Sequence, residues 1–233
     1  MTKPTGRSRF EGINACVFDA YGTLFDVHSA VGALKRIVGP EHARLSEAWR
    51  RRQLEYTWLH SLMAEHRSFW DLTGDALRVS LREARLDADT LYEPLMKAYL
   101  ELAAFSEVSA VLALLKQAGM QTAILTNGSP SMIAAAVDNS GIGQWMDHQL
   151  SVESVRVFKP DARVYQLAVD SLDVPAEAIA FMSSNAWDAA GAAHFGFNVA
   201  WVNRYGQPSE ALPGTPAAML STLSELPELL GIC

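Results

Sequence analysis

Short, mostly apolar runs recur along the chain, separated by longer segments with apolar residues at helical spacing. Four runs have the length and composition of buried strands, and they cover residues 15–19, 122–126, 178–182 and 199–202. A weaker fifth run covers residues 148–152. Strand-like runs that alternate with helix-like segments predict a parallel sheet with helices packed against it.

Prolines and glycines mark the ends of several predicted helices. Pro130 and Pro160 suit the first turn of a helix, and Ser129 is placed to cap the first of these two helices. Gly119 and Gly141 follow apolar helical patterns and are placed as helix stops. These residues define the helices that should connect the later strands.

An insertion separates the first predicted strand from the second. About a hundred residues lie between them, too many for a plain crossover connection. The insertion shows apolar residues at helical spacing, as at Trp49, Trp58 and Leu62, and almost no strand signal. We therefore predict a helical cap subdomain over residues 28–104, above a core domain formed by residues 1–27 and 105–233.

The last part of the chain is rich in proline and glycine over residues 206–216. This composition predicts a surface connection that leads to a final helix.

Composition and charge narrow the possible functions. The 233 residues are 49% apolar and carry a formal charge of −7, and no basic tract exceeds the cluster Arg50, Arg51 and Arg52. A nucleic-acid partner is therefore not expected, and a small substrate fits better. No apolar run is long enough to span a bilayer, and no apolar signal segment follows the basic N-terminal residues. We expect a cytoplasmic protein without a membrane partner. We also expect no disulfide, because Cys16 lies in a strand-like run and Cys233 is the last residue.

Polar residues follow the predicted strands at one edge of the sheet. Asp19 ends the first run, Thr126 and Asn127 end the second, and residues 183–188 follow the fourth. Lys159 precedes a predicted helix. Ligands of open parallel sheets bind beyond the carboxyl ends of the strands, so we expect these side chains to converge on one crevice with the helical insertion as its lid.

The segment FDAYGTLFD, residues 18–26, resembles the first motif of the haloacid dehalogenase superfamily. That resemblance makes Asp19 the nucleophile. Most members carry a second aspartate two positions later and hold a magnesium ion for phosphoryl transfer, but this chain has Tyr21 there. The metal-independent (S)-2-haloacid dehalogenase branch shares this departure. The resemblance continues through WRRRQLEYTWLHSLM, ILTNGSP, VFKPDARVY and FMSSNAWDAAGAAHFGF.

The resemblance implies an α/β fold with a Rossmann-like, haloacid dehalogenase-like parallel-sheet core and an inserted helical cap. It also implies that Asp19 displaces halide from a small (S)-2-haloacid, with haloacetates as a possible extension. Water then cleaves the aspartyl ester and releases an (R)-2-hydroxyacid. No metal and no cofactor are expected. The branch is commonly homodimeric, although a self-packed cap would explain the same aromatic and leucine-rich residues.

Individual roles follow from the same resemblance. It assigns catalytic roles to Asp19, Lys159, Thr23, Ser183, Asn185, Asp188 and Tyr165. It assigns substrate or halide binding to Arg50, Thr126, Asn127, Tyr21, Leu54, Phe69 and Trp187. Thr126 stands where many relatives have serine, which keeps the hydroxyl. Trp187 and Phe69 are equally consistent with packing alone. Two anions must meet in this reaction, and Lys159 and Arg50 offset their repulsion, whereas a second aspartate would increase it.

Two other functions compete with this interpretation. A phosphatase of the same superfamily would share the fold and the nucleophile, but it predicts a second acidic residue where Tyr21 stands. A catalytically silent binding module predicts loss of Asp19, Lys159 or Arg50, and the sequence contains all three.

Overall fold

The structure is a computed structural model that describes residues 10–232. Cys233 and most of the basic N-terminal stretch lie outside the described residues, so the expectations that concern them stay predictions. Cys16 is buried in a strand, and burial raises the pKa of its thiol to about 12. Over residues 10–232, no helix combines the length and the apolar character needed to cross a membrane.

Six parallel strands form one sheet, in the order β3-β2-β1-β4-β5-β6. The strands are β1 (Ala15–Phe18), β2 (Gln121–Thr126), β3 (His148–Ser151), β4 (Ile179–Ser183), β5 (Asn198–Val202) and β6 (Ala218–Leu220). Strands β1 and β4 are buried along their whole length, as expected for a sheet covered on both faces. The predicted α/β fold with a parallel-sheet core is confirmed, and all five predicted runs form strands.

The sixth strand was not predicted. Residues 206–216 were expected to lead to a final helix, but β6 pairs with β5 before the short helix at the end of the chain. This edge strand is three residues long, and only Leu220 is buried, while Met219 is exposed. So short a run with a single buried side chain carries no recognisable alternation, because its strand geometry depends on the pairing with β5.

Five helices lie in the insertion and five in the remainder of the described chain. The first five are α1 (Ser29–Ala33), α2 (Lys35–Val38), α3 (His42–Leu62), α4 (Phe69–Glu83) and α5 (Ala88–Leu100). The others are α6 (Val108–Gln117), α7 (Pro130–Ser140), α8 (Ala162–Leu172), α9 (Ala186–Phe195) and α10 (Leu226–Leu229). The helical character predicted for the insertion therefore holds.

Some predicted helix ends hold and others do not. Gly119 and Gly141 have positive φ angles after α6 and α7, as expected for helix stops. Pro160 is not in the first turn of a helix, because α8 begins at Ala162 and the side chain of Asp161 caps it. Ser129 occupies the cap position of α7, but its side chain makes no capping hydrogen bond.

The chain leaves and re-enters the sheet region through two adjacent segments. The Phe105 N–H donates to the carbonyl of Leu24, and the Asp26 N–H donates to that of Ala103, both at 3.0 Å. The insertion that contains α1 to α5 therefore starts and finishes beside the end of β1. The division of the chain at residues 27 and 105 stays a prediction.

The sheet topology places a crevice beside β1. The chain runs from β1 to β2 on one side and from β4 to β5 on the other, so the connections diverge between β1 and β4. Divergent connections open a crevice at the carboxyl ends of the strands. The residues that follow β1 and β4 meet there.

Candidate active site

Asp19 directly follows β1, and its carboxylate is held by three donors. Lys159 Nζ donates to Oδ1 at 3.1 Å, Asn185 Nδ2 to Oδ2 at 2.9 Å, and the Thr23 hydroxyl to Oδ2 at 3.2 Å. The side chain is 9% exposed. Contacts on both oxygens fix the plane of the carboxylate, which suits a group that must attack from one direction.

Lys159 bridges two buried carboxylates. Its ammonium lies 3.1 Å from Asp19 Oδ1 and 2.9 Å from Asp188 Oδ2, and Lys159 and Asp188 are fully buried. Burial alone would lower the pKa of Lys159, but the charges of Asp188 and Asp19 outweigh it and raise the pKa above its usual value. The lysine is therefore a permanent cation between the two aspartates.

Asp188 is held on its other side by Tyr165. The Tyr165 hydroxyl donates to Asp188 Oδ1 at 2.8 Å. Burial raises the pKa of Asp188, the charge of Lys159 opposes this shift, and the charge of Asp19 adds to it. Burial also raises the pKa of Tyr165, and the charge of Asp188 adds to this increase. Gly191 permits this contact, because a Cβ there would lie 2.7 Å from the Tyr165 hydroxyl.

The loop after β4 is tied to the loop after β1. The Ser184 N–H donates to the Thr23 hydroxyl at 2.8 Å, so Thr23 accepts from one loop while it donates to Asp19. Ser183 is buried, and its hydroxyl accepts from the Asn185 N–H at 3.2 Å. Ser183 therefore supports the turn that presents Asn185 to Asp19.

Thr126 and Asn127 end β2 on the other side of Asp19. Asn127 Oδ1 accepts from the Lys159 N–H at 3.0 Å, which fixes the amide orientation and leaves its NH₂ group as a donor. The Thr126 hydroxyl is buried and accepts from the Gly128 N–H at 3.1 Å. Both residues therefore lie at the carboxyl end of β2, the neighbour of β1 in the sheet.

Arg50 reaches the site from α3. Its Nη2 lies 3.3 Å from the carbonyl oxygen of Tyr21 and 3.4 Å from Asn185 Oδ1. Asn185 thus contacts Arg50 through its oxygen and Asp19 through its nitrogen. Arg50 also lines a cavity of about 380 Å³ between α3 and the loop after β4.

The aromatic and apolar residues predicted to bind substrate or halide divide into two groups. Tyr21, Leu54 and Trp187 line the cavity beside Arg50. Trp187 also packs edge-on against Trp58, with ring centroids 5.3 Å apart. Phe69 is buried, and its ring packs against that of Tyr21 with ring centroids 5.9 Å apart. The predicted contact of Phe69 and Trp187 with a ligand stays a prediction.

The donor set does not fit a divalent cation. Most superfamily members would hold magnesium beside the first aspartate, but here the ammonium of Lys159 lies between Asp19 and Asp188. A second cation in that space would be repelled by the lysine. Among residues 10–232, no group of three or more histidine, cysteine, aspartate or glutamate side chains is arranged to hold a metal ion.

Three residues beside the site were not predicted. Gln53 accepts from Arg50, Tyr99 stacks on Tyr21 with ring centroids 5.6 Å apart, and Arg204 Nη2 donates to the carbonyl of Thr23 at 2.8 Å. Gln53 lies three residues after Arg50 on one helix, a spacing that could have identified it. Tyr99 and Arg204 reach the site through tertiary contacts that no local spacing indicates.

Comparison with known proteins adds to this geometry. The sequence profile of the family described as haloacid dehalogenase-like hydrolase matches residues 13–196. The (S)-2-haloacid dehalogenase of Pseudomonas sp. strain YL is 47% identical over 218 residues, which cover 93% of this chain and 94% of that protein. Haloacetate dehalogenase H-2 of Moraxella sp. strain B is 39% identical, with 94% and 99% covered.

Solved structures of dehalogenases resemble this chain along most of its length. The L-2-haloacid dehalogenase of Xanthobacter autotrophicus with chloropropionic acid covalently bound has a TM-score of 0.88 and 35% identity, over 94% of this chain and 98% of that one. Another dehalogenase structure has a TM-score of 0.93 and 45% identity, with 94% and 98% covered.

Proposed function

The chain belongs to the haloacid dehalogenase-like hydrolases, and we propose that within this family it is an (S)-2-haloacid dehalogenase. It hydrolyses the carbon–halogen bond of small (S)-2-haloalkanoic acids and releases halide and an (R)-2-hydroxyacid. One observation carries the proposal: the Asp19 carboxylate is held by Lys159, Asn185 and Thr23, and Asn185 also contacts Arg50, which lines the adjacent cavity.

In the first step, an oxygen of the Asp19 carboxylate attacks C2 of the substrate. The C2–halogen bond breaks, the halide leaves with the bonding electron pair, and an ester forms between Asp19 and C2. The guanidinium of Arg50 and the Asn127 amide stabilise the charge that develops on the halide. Thr126 and the Asn127 amide hold the substrate carboxylate. Lys159 offsets the repulsion between that carboxylate and Asp19.

In the second step, water attacks the carbonyl carbon of the Asp19 ester. Asp188 is the proton acceptor that this arrangement offers, since Lys159, Thr23 and Asn185 all donate to Asp19. Asp188 passes this proton to the alkoxide oxygen as the acyl–oxygen bond breaks, so the hydroxyacid leaves with its hydroxyl group, and Asp19 returns to a carboxylate when its remaining proton is lost to solvent. The oxygen on C2 of the product is therefore an Asp19 oxygen, and water supplies the replacement.

The stereochemistry follows from these steps. A single in-line displacement inverts C2, and hydrolysis at the Asp19 carbonyl leaves C2 untouched, so an (S) substrate gives an (R) product. Haloacetates lack the alkyl group at C2 and so require less space in the cavity lined by Tyr21, Leu54 and Trp187. The activity therefore extends to haloacetates, as the name of the similar Moraxella protein also suggests.

The active form is a cytoplasmic homodimer. Support comes from the exposed apolar side chains at the C-terminal end of α3, where Leu59 is 50% exposed, Leu62 83% and Met63 60%. Adjacent exposed apolar side chains are typical of an interface between protein subunits.

The test is halide release from (S)-2-chloropropionate and from its mirror image, with a chelator present, by the purified protein and by Asp19→Asn. We expect chloride and (R)-lactate from the (S) form alone, at a rate that the chelator does not change. Asp19→Asn should release no chloride, because its side chain is not a nucleophilic carboxylate.

The competing assignment is a magnesium-dependent phosphatase on the same fold. It predicts hydrolysis of a phosphate ester that requires magnesium, and no chloride from either haloacid. That result would overturn the proposal and would mean that Tyr21 does not distinguish the two chemistries.

A further inference from the structure

A neutral side chain holds the guanidinium of Arg50 from within the insertion. Gln53 lies three residues after Arg50, so both project from the same side of α3. Arg50 Nη1 donates to Gln53 Oε1 at 2.8 Å, the shortest hydrogen bond that Arg50 makes among the described residues. Gln53 is buried, so water does not compete for this contact.

Hydrogen-bond polarity fixes the orientation of the Gln53 amide. A guanidinium only donates, so the amide must turn its oxygen to Arg50 and its nitrogen to the opposite side. There, Gln53 Nε2 donates to the Thr73 hydroxyl at 2.6 Å, and that hydroxyl donates to the Phe69 carbonyl at 2.6 Å. Each donor in this network has an acceptor, and a reversed amide would face Arg50 with N–H groups.

Tyr99 closes the network on the side of the catalytic loop. Its hydroxyl lies 3.0 Å from Gln53 Nε2 and 3.2 Å from Oε1, so it contacts both ends of the amide. Its ring stacks on Tyr21 at 5.6 Å, and the Tyr21 carbonyl accepts from Arg50 Nη2 at 3.3 Å. Gln53 and the Tyr21 carbonyl therefore restrain the two terminal nitrogens of Arg50.

We propose that Gln53, supported by Tyr99 and Thr73, is a positioning residue that fixes the Arg50 guanidinium for the departing halide. The choice of an amide has a physical reason. A carboxylate at this position would neutralise the guanidinium, whereas an amide oxygen restrains it and leaves its positive charge for the halide. The inference rests on the proposed function for the identity of the anion.

The experiment compares four single variants and the double variant Gln53→Met/Tyr99→Phe in two assays. Gln53→Met keeps the length of the side chain and removes both polar atoms, and Tyr99→Phe removes only the hydroxyl. Thr57→Val is the matched control, because Thr57 is buried one turn further along α3, and within residues 10–232 its hydroxyl bonds only to the Leu54 carbonyl. Arg50→Ala is the reference for complete loss. The assays are turnover of (S)-2-chloropropionate and (S)-2-bromopropionate, and chloride binding by ³⁵Cl NMR line broadening.

We expect Gln53→Met to lower kcat by about 10- to 100-fold, because a displaced charge-stabilising group is costly in the transition state. The loss should be larger for chloride than for bromide, since the poorer leaving group depends more on Arg50. Chloride binding should weaken in parallel. Tyr99→Phe should show a smaller loss that shrinks in the Gln53→Met background, and the part that persists there measures the direct interaction of the Tyr99 hydroxyl with Arg50. Thr57→Val should match the wild type in both assays.

Wild-type chloride binding and kcat in a folded Gln53→Met protein would overturn the inference. So would an equal loss for both halides without a change in chloride binding. If Gln53→Met does not fold, Tyr99→Phe decides, and unchanged chloride binding in it would contradict the inference. Failure of the proposed function has a different signature: the wild type releases no halide, while chloride binding still depends on Arg50 and Gln53.

Discussion

Lys159 is the counter-ion of two buried carboxylates, those of Asp19 and Asp188. Its ammonium contacts both Asp19 and Asp188, and the side chains of Lys159 and Asp188 have no more than 1% exposure. A buried charge without a partner is far more costly than an exposed one. The lysine therefore contributes to stability as well as to the reaction.

At this scale we predict that Lys159→Met loses halide release and about 3–5 kcal/mol of unfolding free energy, because it leaves two buried carboxylates without a counter-ion. Urea unfolding measures the loss. The double variant Lys159→Met/Asp188→Asn should recover part of the stability, because one of the two uncompensated charges is gone. A single variant as stable as the wild type would contradict the bridging role.

The residues around Asp19 could be predicted from the sequence to different extents. The sequence motifs identified Lys159, Asn185, Thr23 and Asp188 as site residues, and the structure places all four around Asp19. These residues follow strand ends or precede a helix, so the sheet topology alone brings them to one edge. Gln53 and Tyr99 were not predicted, since their contacts depend on how α3 and α5 pack, which no motif in the sequence encodes.

Among the secondary-structure elements, Arg204 connects the end of β5 to the loop after β1. It donates to the Thr23 carbonyl at 2.8 Å and to Glu107 Oε1 at 2.6 Å, and Glu107 also accepts from Thr222 at 3.0 Å. Burial alone would raise the pKa of Glu107, but hydrogen bonds from its own backbone and from Arg204 lower it below the usual value. The start of α6 thus stabilises the loop that carries Thr23.

We predict that Glu107→Gln lowers the unfolding free energy by about 1–3 kcal/mol at neutral pH, as expected for a hydrogen bond to a charged group. A lowered pKa means that the contribution is present above the pKa of the unfolded chain, about 4.3, and is lost as the pH falls. Thermal or urea unfolding of both proteins across this range tests the prediction. Glu101→Gln is the control, because Glu101 lies 3.9 Å from Lys97 on the surface and contributes little at any pH.

Strands could be predicted from the sequence where the whole strand is buried. They could not be predicted where a strand forms only because a neighbouring strand supplies its hydrogen-bond partners. Strands β1 and β4 are buried throughout, so their apolar runs identify them. Strand β6 has one buried residue and exists because β5 supplies a partner. The helix expected at Pro160 begins two residues later, because Asp161 supplies the cap.

At the scale of the whole molecule, the proposed homodimer depends on the exposed end of α3. We predict that Leu62→Glu converts the dimer to a monomer, because a charge placed in an apolar interface must be desolvated. Sedimentation equilibrium measures the mass. Leu114→Glu is the control, since Leu114 is 39% exposed on α6, which packs against β2 and α10. A wild-type protein that is monomeric at all concentrations would contradict the dimer.

The central claim is that Asp19 itself becomes covalently bonded to the substrate. The most direct measurement is turnover of (S)-2-chloropropionate in water enriched in oxygen-18, followed by mass spectrometry of the peptide that contains Asp19. We predict oxygen-18 in the Asp19 side chain, and lactate from the first turnover that carries the original Asp19 oxygen. Oxygen-18 in the first lactate, with none in Asp19, would mean that water attacks C2 directly and would contradict the account.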